Sequence, residues 1–125
     1  MALTGEAPEA LRDWSVSLNK VGDVQRAMGD LTGARQRYEE SLGVSERLVK
    51  LTGEAPEALR DLATSLERLG DTWQALGDVE QARRFFQRGL QVAQQALRQS
   101  PLSQDIQNVV SAAQERLAAL PPDKP

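Results

Sequence analysis

Leu51-Thr52-Gly53-Glu54-Ala55-Pro56-Glu57-Ala58-Leu59-Arg60-Asp61 repeats, residue for residue, the stretch from Leu3 to Asp13. That identity fixes a register in which residues 3–50 align with 51–98 without a gap, a period of 48 with 22 identical positions. Self-similarity at a fixed period marks an array of structural units. Further matches follow the same register, among them Leu18/Leu66, Gly22/Gly70, Asp23/Asp71, Ala27/Ala75, Gly29/Gly77, Asp30/Asp78 and Ala34/Ala82.

Working outward from the repeated block, the apolar residues recur at helical spacing. Leu59, Leu62, Leu66, Leu69, Trp73 and Leu76 step by three or four, as do Leu11, Trp14, Leu18 and Val21, which gives each unit a first helix. A second helix follows in each, on Leu31, Ala34, Tyr38, Leu42, Ser45 and Leu48, then on Val79, Ala82, Phe86, Leu90, Ala93 and Leu97. Gly29-Asp30 and Gly77-Asp78 join the two, the glycine suited to a left-handed C-cap and the aspartate to an N-cap. Asp78 with Gln81 reads as a capping box. So short a join predicts antiparallel hairpins over residues 8–50 and 56–99. After Ser100-Pro101, which repeats the grammar of a proline in the first turn, a closing helix is expected over 101–120 on Leu102, Ile106, Val109, Val110, Ala113, Leu117 and Leu120. Residues 1–7 and 121–125 are expected to be flexible ends of a single 1–125 domain. Because Leu51-Thr52-Gly53 is the tail of a second helix, Leu3-Thr4-Gly5 reads as the tail of an earlier one, or as a loop kept for its turn.

The composition narrows function. With no cysteine and no histidine, disulfides, thiolate chemistry and the usual zinc ligands are excluded, and any acid–base work falls to carboxylates, Lys or Tyr. No Gly-rich phosphate loop, nucleophile elbow or metal spacing occurs. The expectation is a non-enzyme without cofactors. A net charge of −3 and a pI near 5.0 offer phosphate backbones no long-range attraction, and no apolar run reaches the ~20 residues of a membrane span. Neither nucleic acid nor membrane is an expected partner, and the default location is the cytoplasm.

Leu66, Leu69-Gly70, Trp73, Gly77, Ala82, Phe86, Gly89 and Leu90, with Leu18, Val21-Gly22, Gln25, Gly29, Ala34, Tyr38, Ser41 and Leu42 in the first unit, resemble the tetratricopeptide repeat signature. In this reading Gly22/Gly70 and Ala34/Ala82 permit close helix approach, and Tyr38/Phe86 fill the space opposite. The family's period is about 34 residues, so the longer repeat here implies helices about two turns longer each. The resemblance implies an all-α, right-handed superhelix of about five helices, an α-α solenoid, whose concave groove receives a peptide or helix of a protein partner. Carried over position by position, the groove consists of Val16, Asn19, Lys20, Asp23, Arg26 and Ala27, with Thr64, Glu67, Arg68, Asp71, Gln74 and Ala75. Asp23 stands where the family's clamp for a C-terminal carboxylate has Asn, and its charge argues against that ligand.

Alternatives stand beside these readings. Asp23 and Asp71 either hydrogen-bond a partner backbone or pair helices, and Lys20, Arg26 and Arg68 either meet acidic ligand groups or form a solvated face worth ~0–1 kcal/mol per pair. Trp14 and Trp73 read as core. With no hairpin ahead of it, however, the first helix leaves Leu11 and Trp14 as candidates for a bare, self-associating end and hence for a homo-oligomer. Phe85 either lies under the closing helix or marks a contact, and Arg83, Arg84 and Arg88 around it only superficially resemble a basic-aromatic nucleic-acid surface. An isolated or engineered repeat unit with no ligand of its own is the remaining possibility.

Overall fold

In a computed structural model, which describes residues 7–122, the chain forms five α-helices: α1 Pro8–Ala27, α2 Leu31–Leu51, α3 Pro56–Ala75, α4 Val79–Gln99 and α5 Gln104–Ala119. No strand occurs among the described residues. Prolines open both α1 and α3 in their first turn, where a missing N–H goes unmissed and φ is already helical. The expected stump at Leu3-Thr4-Gly5 lies outside the described residues. So do the expected flexible ends, apart from Ala7, Pro121 and Pro122.

Both hairpins close with the same chemistry. Gly29 and Gly77 hold φ of 86° and 90°, the left-handed conformation that the turn requires and that a Cβ disfavours. The following amides, on Asp30 and Asp78, donate back to the carbonyls of Gln25 and Trp73 at 2.8 and 2.9 Å, which completes a Schellman termination. The same aspartates then cap the next helix, accepting from Gly33 N at 2.9 Å and Gln81 N at 3.0 Å. The Asp78 amide is already engaged by Trp73, so the capping box is present in its forward half only. Between the hairpins, Gly53 and Glu54 are both left-handed. Thr52 ties this joint down, its hydroxyl donating to Leu48 O at 2.9 Å. α5 departs from the sequence expectation: Pro101 lies in a preceding turn, and the helix starts at Gln104 with Ser103 accepting from Ile106 N.

Consecutive helices pack side by side, and α3 also touches α5. Chain order is therefore spatial order, the arrangement of an all-α helical-repeat solenoid. The core runs along the stack as joined clusters. Leu11, Val44, Leu48 and Ala58 fill one; Ala34, Tyr38 and Leu69 link the two repeats; Ala82, Phe86 and Leu120 fill the far end. A buried hydroxyl seam crosses α1, α2 and α3: Ser41 donates to Ser15 O at 3.1 Å and meets Ser65 Oγ at 3.3 Å.

Two expectations on packing change. Trp14 is not core but 49% exposed, whereas Leu11, expected bare, is 2% exposed. The reason is the edge of the packed stripe: Leu11 meets Val44, Leu48 and Ala58 of α2 and α3, and Trp14, one turn on and about 60° round the helix, faces a side where no helix packs among the described residues. Phe85 lies against the Ala34, Tyr38 and Leu69 cluster, so it seals the junction between repeats and not the closing helix.

Candidate functional site

α1, α3 and α5 present one common side, and two adjoining concavities open there. The larger, about 520 Å³, is lined by Asp23, Arg26, Ala27, Thr64, Glu67, Arg68, Asp71 and Arg116. The smaller is lined by Ser15, Val16, Asn19, Lys20, Asp23, Asp61, Thr64 and Arg68. Asp23, Thr64 and Arg68 belong to both, so they form one continuous trough.

Helical spacing puts these side chains together. On α3, Thr64, Glu67, Arg68 and Asp71 recur at three or four residues, and Asn19, Lys20, Asp23 and Arg26 do the same on α1. Two ion pairs cross the trough at the repeat interval. Arg68 donates to Asp23 from Nε at 3.1 Å and from a terminal nitrogen at 3.4 Å. Arg116, 48 positions beyond Arg68, donates to Asp71, 48 positions beyond Asp23, at 2.8 and 3.1 Å. Both are two-pronged, the geometry in which a guanidinium holds a carboxylate best. Arg26 adds a looser contact to Asp71 at 3.9 Å, and Arg116 reaches Glu67 at 3.5 Å.

The carboxylates differ in electrostatic setting. Burial works to raise Asp23, but hydrogen bonds from the Tyr38 hydroxyl and Arg68, with the charges of Arg68 and Arg26, hold it below the usual aspartate value. Tyr38 is pushed up to about 12 by burial and by its bond to the Asp23 carboxylate. Burial also raises Glu67, against the pull of Arg116. Arg116 is raised in turn by its hydrogen bond to Asp71. The large concavity thus holds three carboxylates and three guanidiniums in mutual contact, with no net excess of either sign.

Of the groove residues expected from sequence, Asn19, Lys20, Asp23, Arg26, Glu67, Arg68 and Asp71 line the trough. Gln74 and Ala75 line neither concavity. The alternatives for the two aspartates resolve toward helix pairing, since each is engaged by a neighbouring helix. Asn19 Oδ1 has no hydrogen-bond partner, and Lys20 is exposed at the rim. Arg116, which the sequence reading put on the solvent-facing side of the closing helix, instead enters the trough on Asp71; it stands 48 positions beyond Arg68, past the end of the second repeat at residue 98.

Outside the trough, the Arg35 guanidinium lies 5.1 Å from the centre of the half-buried Trp73 ring, a cation–π contact. Arg88 pairs with Glu46 across repeats, and Arg83 donates to Pro121 O. Of the basic residues around Phe85 and Phe86, Arg83 and Arg88 are therefore engaged within the fold, and Arg84 is exposed. No group of three or more His, Cys, Asp or Glu side chains able to hold a metal ion occurs among the described residues. No helix among them is long and apolar enough to cross a membrane.

Two comparisons with known proteins bear on this arrangement. A family model described as Tetratricopeptide repeat matches residues 15–88. Among curated proteins, none matches the chain.

Proposed function

This chain belongs to the tetratricopeptide repeat family, and from that premise we propose that its trough holds a peptide or helix of a protein partner. Repeats of this family are typically non-catalytic protein-interaction modules. The observation that carries the finer reading is the lining itself: six charged side chains from the alternate helices α1, α3 and α5 converge on one open concavity. The core beneath conserves its residue type between repeats, with Leu66 under Leu18 and Phe86 under Tyr38. The trough keeps its charge type at Asp23/Asp71 and Lys20/Arg68 but changes it where Asn19 gives way to Glu67 and Arg26 to Gln74.

A neutral, internally paired lining suits a ligand of mixed charge. Such a ligand exchanges its own ion pairs for those already present, and exposed pairs worth ~0–1 kcal/mol yield readily. Asn19, in the lining of the smaller concavity, places a side-chain amide beside a ligand backbone. The test is selection of peptides from a random displayed library on the full chain, followed by titration calorimetry of the winners. Asn19→Ala and Glu67→Gln are each expected to weaken them by about tenfold, the ~1.4 kcal/mol of a lost polar contact, with the helical circular dichroism unchanged. Winners whose affinity ignores both substitutions would move the site off the trough.

A further inference from the structure

The charged residues that line the large concavity are of two kinds. Four of them make the two-pronged pairs, Arg68 with Asp23 and Arg116 with Asp71. The side chains of the other two, Arg26 and Glu67, make no hydrogen bond among the described residues. Arg26 approaches Asp71 at 3.9 Å, and Glu67 lies 3.5 Å from Arg116. Arg26, Asp71, Arg116 and Glu67 thus form a row of alternating charges across the trough, tight at its centre and loose at both ends.

The repeat register singles out the same two residues. Asp23 recurs as Asp71 after 48 positions, and Arg68 recurs as Arg116 at the same interval. Arg26, by contrast, gives way to Gln74, and Glu67 takes the place of Asn19. The charges that recur neutralise one another between helices, a task that both junctions share. Those that do not recur are the ones left loosely engaged. Glu67 is the more demanding of the two: its side chain is 22% exposed, and burial raises it above the usual glutamate value. A carboxylate withdrawn this far from water ordinarily accepts hydrogen bonds in return. Arg26, on the α1 wall, holds a whole fork of donors in reserve.

Given the trough as the partner's seat, on which this assignment rests, we propose that Glu67 and Arg26 read the polarity of the bound segment: Glu67 receives a basic side chain and Arg26 an acidic one. A segment with a lysine or arginine toward α3 and an aspartate or glutamate toward α1 completes the row of alternating charges at both ends. The contacts it displaces are the two loose ones, and both two-pronged pairs stay intact. A concavity with no net charge thereby still discriminates. A reversed segment sets its acid against Glu67 and its base against Arg26, and like-charge contact opposes it at both ends. A purely acidic or purely basic segment satisfies one end and is repelled at the other.

Peptides selected from a random displayed library on the full chain supply the probe. One winner is remade with its basic residue changed to Gln and, separately, with its acidic residue changed to Gln. Each form is titrated against wild type, Glu67→Gln and Arg26→Gln, the last giving α1 the residue that α3 carries. Loss of the base is expected to weaken binding about tenfold on wild type and less than about twofold on Glu67→Gln. Loss of the acid is expected to show the same contrast between wild type and Arg26→Gln, and the crossed combinations to multiply as independent losses. Glu67→Asp and Arg26→Lys keep the charges and are expected to retain most of the affinity, which separates a lost ion pair from a disturbed fold. Winners that lack a residue of either sign, or that weaken with Asn19→Ala but with neither Glu67→Gln nor Arg26→Gln, overturn the assignment and leave the trough as the seat. Winners indifferent to all three substitutions remove the seat and the assignment together.

Discussion

The two repeats share their helix lengths, their turns and their aromatic-on-glycine contacts, yet they treat the same aspartate differently. In the first, Tyr38 lies against Gly22 and its hydroxyl donates to Asp23, with Arg68 completing the shell. In the second, Phe86 lies against Gly70 with no hydroxyl to offer, and Asp71 takes Arg116 by two nitrogens with Arg26 at the edge. One apolar mould thus carries two polar solutions. The repeats differ also in cover: among the described residues, the second has helices on both sides of its first helix, the first on one side only. What a sequence identity costs to lose depends on which repeat it sits in.

The largest expected break in this comparison comes from the cover. Leu62→Ala is expected to cost about 2–5 kcal/mol in urea unfolding, the range for a buried leucine, while Trp14→Ala at the equivalent place costs less than about 1 kcal/mol. Equal losses would show that α1 is not one-sided in solution. Next is the aromatic contact. A Cβ on Gly70 would lie 2.3 Å from the Phe86 ring and one on Gly22 2.6 Å from the Tyr38 ring. Overpacking of this kind costs about 1–3 kcal/mol, partly offset by the ~1 kcal/mol that alanine gains over glycine in a helix. Gly70→Ala is expected to lower the thermal midpoint more than Gly22→Ala, because α1 is free to shift outward. Phe86→Leu should recover part of the Gly70→Ala loss.

Smaller still is the polar difference. Tyr38→Phe makes the first repeat resemble the second and is expected to cost about 1–2 kcal/mol at neutral pH, the loss of one hydrogen bond to a charged group. Its pH dependence has a definite sign. The folded chain holds the Tyr38 proton to about pH 12, whereas the unfolded chain releases it near 10. The stability difference is thus fully present below pH 10 and declines as pH rises toward 12. Urea midpoints measured across that window should decline less in Tyr38→Phe. Asp23, held low, works at the acid end: its contribution is present at neutral pH and is lost as pH falls through its folded value. The smallest effect is expected from Arg68→Ala and Arg116→Ala, each about 0–1 kcal/mol by urea unfolding, since both pairs retain solvent contact.

The fold was legible because its signals are local and occur twice. Gly29-Asp30 and Gly77-Asp78 specify their turns through backbone conformation and a short side-chain bond, and the leucine spacing specifies the helices. The candidate site was legible as far as the register was followed. Asn19 to Arg26 and Thr64 to Asp71 are found by position in the signature, but Arg116 lies in a helix whose apolar residues resemble neither earlier repeat. Trp14 was left between core and bare end because a periodic pattern shows which residues share a face, not whether a neighbour covers it, and its 49% exposure goes against the core reading. Leu11 was misread for the complementary reason: its cover comes from Val44, Leu48 and Ala58, long-range contacts that no spacing within α1 discloses. Phe85 replaces Arg37 of the first repeat, and only the neighbouring α2 explains why an aromatic is useful there.

Packing between chain neighbours also sets the order in which the molecule opens. α1 is held by α2 along one side and by ion pairs from Arg12 and Asp23 to α3, whereas α3 is clasped by α2, α4 and α5. In a one-dimensional stack of this kind the unit with the fewest neighbours unfolds locally at the lowest free energy. Amide hydrogens of α1 therefore exchange with solvent ahead of those in α3, without the rest of the chain unfolding. Each such excursion uncovers the phenol of Tyr38, so its hydroxyl serves as a built-in clock for the breathing of the open end.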